Sequence, residues 1–471
     1  MIDSFDTTGL LPPQIPHAQR LIDSLYLNGV ATDLSVTGTG KTYSASAIAR
    51  HFKSPTIVVA PKMVLPIWKR ILNSFGVEPD LTINYEKLCR GNTPWLKYGR
   101  NKGTEHWLSA KLKFSDDSLV ILDESHKMKG INSLNAGLLV ALKRQKYRSL
   151  LLSATQATTP LDMRAFAYAT GLMPDVEMKT YKQFCIESGA EWVGRWGALK
   201  FNKDDKSALE KMRCVHGYLF DEKKIASRLT AEDFGDLFPK NHIVSEAYDM
   251  GQSSIHIKNI YNDLELAIDR LRERVENYSQ HILALITAAR RKIELLKVPT
   301  LLEMIEDLYD EGKSVVVFVN YTDTINLLHK CLEKNSKFSG KNLIGLVYGE
   351  RSVSDRLQDI EDFQNDKKRI ILANGSCGGQ SLNFHDLHGN FPRASLINPS
   401  FSAINLYQCT GRIHRVEAKT PAYQRIVLAA KSIEESIAKK LHSRMGNLSM
   451  LNNGELLGEA NWFSHVVGHT L

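Results

Sequence analysis

The chain carries Thr37-Gly38-Thr39-Gly40-Lys41-Thr42, followed by the helix-forming stretch Tyr43–Arg50. Glycines at 38 and 40 let a backbone wrap a phosphate without Cβ clashes. The loop N–H groups and the helix N-terminus supply donors and positive dipole. Lys41 can then reach the β- and γ-phosphates of a nucleotide, and the Thr42 hydroxyl can ligate Mg²⁺. Ser35 stands where the pattern GxxxxGK[ST] has its first glycine, and serine is small enough for the loop to close. Taken alone, a chance Gly-Lys-Thr in a turn is the lesser alternative. A second chemical feature follows downstream, where the run Leu119–Leu122 ends in Asp123-Glu124-Ser125-His126. In an open parallel sheet, carboxylates at a strand's end lie beside the phosphate loop. Asp123 would hold Mg²⁺ there, and Glu124 would orient and deprotonate an attacking water.

These groups need a rigid frame. Ile57–Ala60, Leu119–Leu122 and Leu150–Leu152 are short, unbroken apolar runs that end in polar or Pro-containing turns. Such runs predict strands buried on both faces of a parallel sheet. The same grammar returns in Ser314–Val319, Leu343–Val347, Ile370–Ala373 and Ala394–Asn398. Two α/β units therefore bracket the chain's middle. That middle is mixed up to about Asn241, with Trp192, Gly194, Trp196 and Gly197 close together. From Ile260 to Leu285 apolar residues recur every four and three positions. That spacing describes one stripe on a long helix, packed against its own domain or serving as a coiled-coil seam. The expected layout is α/β, with a parallel-sheet domain over 1–165, a mostly helical insertion over 166–298, a second parallel-sheet domain over 299–445 and a tail over 446–471. The tail's Trp462 and Phe463 would dock on the body or face a partner.

Composition narrows the class. Of 471 residues, 43% are apolar and 24% charged, as in soluble globular proteins. No run approaches the roughly 18 apolar residues of a membrane span. Met1-Ile2-Asp3-Ser4 is not the basic start of a secretory signal, so an intracellular, soluble chain without a membrane partner is expected. The net charge of +8 suits a polyanionic partner. Six scattered cysteines form no CxxC pair, which argues for reduced, unliganded thiols.

The order of motifs resembles a superfamily 2 helicase or translocase, and more narrowly the Swi/Snf-related ATPases. The phosphate loop, Asp123-Glu124-Ser125-His126, Ser153-Ala154-Thr155 and Gln408-Cys409-Thr410-Gly411-Arg412-Ile413-His414-Arg415 occur in that family's sequence. Leu10-Leu11-Pro12-Pro13-Gln14 is similar to its LxPxQ entry motif. Ala60–Arg70, with the pair Trp68-Lys69, and Asn84-Tyr85-Glu86-Lys87-Leu88 match further elements. Cys377-Gly378-Gly379-Gln380-Ser381-Leu382-Asn383-Phe384 resembles its AGGxGxNL, and Phe238-Pro239-Lys240 its Leu-Pro-x-Lys brace. The departures are Ser153-Ala154-Thr155 where the narrower group carries Thr-Gly-Thr-Pro, and Ser381 in place of a glycine. With no appended reader module, the chain looks like compact viral, phage or prokaryotic members.

The resemblance implies two tandem RecA-like domains that hydrolyse ATP with Mg²⁺ and act on nucleic acid. Gln14 would read adenine, while Thr37, Gly38, Thr39, Gly40, Lys41 and Thr42 hold the phosphates. Arg412 and Arg415, three apart and hence on one face of a helix, would come from the second domain to stabilise transition-state charge. His126, Ser153, Thr155 and Gln408 would couple nucleotide state to strand grip. Lys62, Tyr85, Lys87, Gly378, Gly379 and Asn383 would touch phosphates along one strand. The implied partner is DNA, duplex or branched, with RNA as the alternative and replication or recombination proteins as further partners. A slow, nucleotide-gated clamp is the reading from outside the motor class. The implied location is the cytoplasm of a prokaryote or of a virus-infected cell.

Overall fold

The computed structural model describes residues 5–90, 93–99, 106–193, 198–201, 206–274, 279–375, 382–400, 402–430 and 432–453. Gly194, Trp196, Gly197, Val275, Tyr278, Gly378, Gly379, Ser381, Trp462 and Phe463 lie outside them. The described residues form two compact units. One holds those up to Gly235 together with those from Ser443 on, and the other holds Asp236–His442. No helix among them is long and apolar enough to cross a membrane.

The first unit is built on a six-stranded parallel sheet. Its strands are β1 (Val30–Asp33), β2 (Thr56–Val59), β3 (Leu81–Ile83), β4 (Leu119–Asp123), β5 (Arg148–Leu152) and β6 (Ala226–Ser227), in the order β6-β1-β5-β4-β2-β3. Alternate residues of each strand enter two different cores, which explains the unbroken apolar runs. Ile57, Val59, Val120 and Leu122 join one core. Val58, Ala60, Leu119 and Ile121 join the other, beneath helices α1 (Gln14–Asn28) and α2 (Lys41–Phe52). Because all six strands run parallel, the segments after β1, β4 and β5 emerge at one sheet edge. These are the phosphate loop, the Asp123–His126 stretch and the Ser153–Thr155 stretch.

The second unit repeats the plan with β7 (Asn241–Tyr248), β8 (Ser314–Val319), β9 (Ile344–Val347), β10 (Ile370–Asn374), β11 (Arg393–Ile397) and β12 (Ala422–Ala429), all parallel, in the order β7-β12-β11-β8-β10-β9. The fold is thus two tandem RecA-like parallel-sheet domains.

The middle differs from the layout expected of it. Rather than standing apart, residues 166–235 belong with the first unit and 236–298 with the second. Phe166, Tyr181, Met212 and Val215 share the first unit's core, and β6 pairs in register with Thr32 and Asp33. β7 pairs along its full length with β12. The expected single long helix is two helices, Ser253–Arg274 and Ser279–Leu296. Ile257, Tyr261 and Leu264 of the first and Ala289 and Ile293 of the second all face the same core. The last helix among the described residues, α3 (Ile433–Asn453), begins in the second unit, and its final turns bury Met450 and Leu451 in the first unit's core.

Candidate active site

The phosphate loop leaves β1 at Asp33 and enters α2 at Lys41. Gly38 and Gly40 have φ of 88° and 82°, the left-handed region that glycine occupies without a Cβ penalty. At Gly40 the requirement is double, since a Cβ there would lie 2.4 Å from Gln14 Nε2. That amide donates to the Thr39 carbonyl at 2.8 Å, while Gln14 Oε1 accepts from the Leu11 N–H at 2.9 Å. Thr39 Oγ1 closes the turn on the Val36 carbonyl at 2.9 Å. Lys41 Nζ donates to the carbonyls of Ser35 and Val36 at 2.8 and 3.0 Å, so the ammonium is held over its own loop. Ser35 does more than merely fit. Its N–H donates to Asp33 Oδ1 at 2.9 Å, and its hydroxyl accepts from the Leu229 N–H at 2.9 Å.

The carboxylates stand at the end of β4. Asp123 Oδ2 accepts from Trp68 Nε1 at 2.9 Å, Oδ1 accepts from the Glu124 N–H at 2.9 Å, and its carbonyl accepts from Tyr85 Oη at 2.8 Å. Burial, reinforced by the neighbouring Glu124 charge, pushes the Asp123 carboxyl up to about 6, against the opposing pull of Trp68 and Lys41. Glu124 adopts φ 54°, ψ 49°, a left-handed conformation that a non-glycine residue keeps at a cost of about 1–3 kcal/mol. Its Oε2 lies 3.3 Å from His126 Nδ1, which lies 3.2 Å from Ser153 Oγ. Ser153 Oγ also accepts from the Thr155 N–H at 3.2 Å. Glu124, His126, Ser153 and Thr155 therefore form one connected chain across two neighbouring loops. Ser125 Oγ adds a bond to Gln156 Oε1 at 2.5 Å.

Two expectations need correction. Tyr85 does not meet solvent: it is fully buried and its hydroxyl donates to the Asp123 carbonyl, so it holds the backbone at the strand's end and does not face a phosphate strand. Lys62 and Lys87 are exposed and Asn383 is half-buried. Arg412 and Arg415 do not share a helix face, because the helix Ala403–Thr410 stops at Gly411. They converge by another route, donating to the Leu382 carbonyl at 3.3 and 3.4 Å through Nη1 and Nη2 respectively. Between them His414 donates through Nε2 to the Pro239 carbonyl at 2.7 Å, with the Phe238 ring edge-on at 4.2 Å. Gln408 is buried in the same helix. Sequence reasoning missed Trp68 as a partner of Asp123. The available signal was that a buried indole N–H usually finds an acceptor.

Residues 296–417 match the family model described as helicase conserved C-terminal domain. Over 467 residues the chain is 30% identical to a protein of Acanthamoeba polyphaga mimivirus named "Putative ATP-dependent RNA helicase", covering 95% of this chain and 84% of that one. It is 23% identical over 389 residues to the "DNA annealing helicase and endonuclease ZRANB3" of Mus musculus, covering 80% of this chain and 35% of the relative. Among solved structures, S. cerevisiae Dbp5 bound to RNA and ADP BeF3 aligns over 94% of each chain, with 12% identity and a TM-score of 0.49. The chain belongs to the superfamily 2 helicases and translocases and is similar to their Swi/Snf-related group.

Proposed function

We propose that this chain is an ATP-driven translocase or helicase acting on DNA, with nucleotide bound by the first unit and hydrolysed when the arginines of the second are brought to it. The observation that carries the reading is the Glu124–His126–Ser153 chain beside a nucleotide-ready loop. It gives a water-activating carboxylate a route to a neighbouring loop that can respond to a bound strand. Gln14 and the Thr37–Thr42 loop bind ATP. Thr42 and Asp123 fit Mg²⁺, since one buried, cation-seeking carboxylate and one hydroxyl suffice when phosphates and water complete the shell. A Mg²⁺ ion held by these two residues would supply charge neutralisation at the nucleotide phosphates. Among the described residues no cluster of three ligating side chains suggests another metal. Glu124 orients the attacking water and takes its proton. Arg412 and Arg415 offset charge on the transferred phosphoryl oxygens, a role worth about 10³–10⁵ in rate in related nucleotide hydrolases. Lys62 and Lys87, with the Gly378–Asn383 stretch, grip the strand backbone without reading sequence.

DNA is favoured by the name of the mouse relative, while the net positive charge suits either nucleic acid. RNA is the second reading, favoured by the name of the mimivirus relative. The test compares ATP hydrolysis with duplex DNA, single-stranded DNA and RNA at one fixed salt concentration, for wild type, Lys41→Ala and Glu124→Gln. Strong stimulation by DNA that both substitutions abolish supports the motor on DNA. Stimulation by RNA alone transfers it to RNA. Near wild-type turnover in either variant removes the catalytic assignment.

A further inference from the structure

His17 lies one helical turn beyond Gln14 on α1 and is wholly buried, as is Asp33 at the end of β1. His17 Nε2 is 3.1 Å from Asp33 Oδ2 and 3.5 Å from Ser35 Oγ, and Nδ1 is 2.8 Å from Ser227 Oγ. Asp33 Oδ1 meanwhile accepts the N–H of Ser35, the first residue of the phosphate loop. None of these groups has a part in the chemistry above. Burial works to raise the Asp33 carboxyl, but His17, Lys41 and the Ser35 bond outweigh it and hold the group below the usual carboxylate range. Asp33 is therefore an anion in a dry site, beside a loop whose task is to receive a triphosphate. An unpaired carboxylate there would repel the nucleotide and compete for Lys41.

We propose that His17 is a positioning residue for ATP binding: its contact with Asp33 engages a buried carboxylate that would otherwise oppose the triphosphate, and fixes the first turn of the phosphate loop. This rests on the reading of the loop as an ATP site. It places the effect on nucleotide affinity and away from the hydrolytic step, because His17 touches no group assigned to proton transfer. It also explains why the loop can use serine at 35, since Ser35 is held by Asp33 on one side and by Leu229 on the other.

The experiment measures binding of a fluorescent ATP analogue together with kcat and KM for ATP. His17→Ala is expected to weaken binding and raise KM by about tenfold or more, with kcat changed less than about twofold. Adding Asp33→Asn to His17→Ala removes the uncompensated charge and is expected to recover most of the lost affinity. A merely structural histidine gives the opposite result, with the double variant no better than the single. His17→Gln keeps a donor toward Asp33 and serves if the alanine variant does not fold; it should fall between wild type and His17→Ala. Affinity within twofold of wild type in a folded His17 variant, or no recovery in the double, overturns the proposal. If wild type itself fails to bind the analogue, or Lys41→Ala binds it normally, the ATP reading fails instead.

Discussion

Trp68→Phe tests how Asp123 is made ready for a metal. The substitution keeps an aromatic ring in a fully buried position but removes the N–H that Asp123 Oδ2 accepts at 2.9 Å. A hydrogen bond to a charged group is worth about 1.5–3 kcal/mol, and one pKa unit corresponds to about 1.36 kcal/mol. Losing it should lift the carboxyl from about 6 to roughly 7–8. Mg²⁺ must displace that proton, so at pH 7 the apparent affinity for Mg²⁺ should fall roughly 2–10-fold, and the difference should vanish near pH 9. The assay is the pH profile of ATP hydrolysis at limiting Mg²⁺, with thermal melts to register the packing lost when an indole becomes a phenyl ring. An acid limb that stays near pH 6, with activity lowered equally at every pH, would mean that the indole acts only by filling space and that the charge argument is wrong.

Other consequences can be checked the same way. Because burial raises the Asp123 carboxyl, the fold loses stability as pH rises from about 4 through about 6; Asp123→Asn should therefore abolish hydrolysis yet stabilise the nucleotide-free protein at pH 7, by at most about 3 kcal/mol in chemical denaturation. Burial also holds the imidazoles of His414 and His385 down, to about 4 and about 3, so both are neutral in the fold. Stability present above about pH 6.5 should be lost as pH falls toward 4, at up to ~1.4 kcal/mol per pH unit and ring, and His414→Gln should visibly flatten that slope in denaturation series at pH 6.5 and 5. Gly40→Ala combines a positive φ with a Cβ driven onto Gln14 Nε2 and should eliminate nucleotide binding; retained binding would show that Gln14 and the loop move independently.

The parts of the site that were legible in the sequence are those in which local chemistry and local order coincide. Gly38, Gly40 and Lys41 are adjacent, and Asp123 and Glu124 end a run of four apolar residues, so a strand-end carboxylate beside a phosphate loop could be read directly. The buried strands of both sheets were visible for the same reason, as unbroken apolar runs. Asn241–Tyr248 was not, because Ser245 is its one buried residue and its identity comes from pairing with Ala422–Ala429, far away in the chain. Ala226–Ser227 is too short to carry any pattern. Tyr85 and Trp68 were read as parts of motifs, but their work depends on a partner 38 and 55 residues away, respectively, which spacing alone does not reveal. Arg412 and Arg415 were placed together for a reason that fails, since Gly411 ends the helix before them. Their shared acceptor at Leu382 is a tertiary fact.

The final helix constrains how the protein can be made. Asn452 Nδ2 donates to the Ala154 carbonyl at 3.0 Å across 298 positions of chain, and His216 Nδ1 lies 2.9 Å from the Leu451 carbonyl. The first lobe therefore cannot be completed when its own strands leave the ribosome. At about 5–20 residues per second it waits roughly 10–45 s for its last pieces, with the hydrophobic seat of Met450 and Leu451 open meanwhile. A fragment cut at Gly235 would remain in that unfinished condition permanently. A recombinant version of the lobe alone would need residues 443–453 grafted back, by circular permutation or as an added peptide.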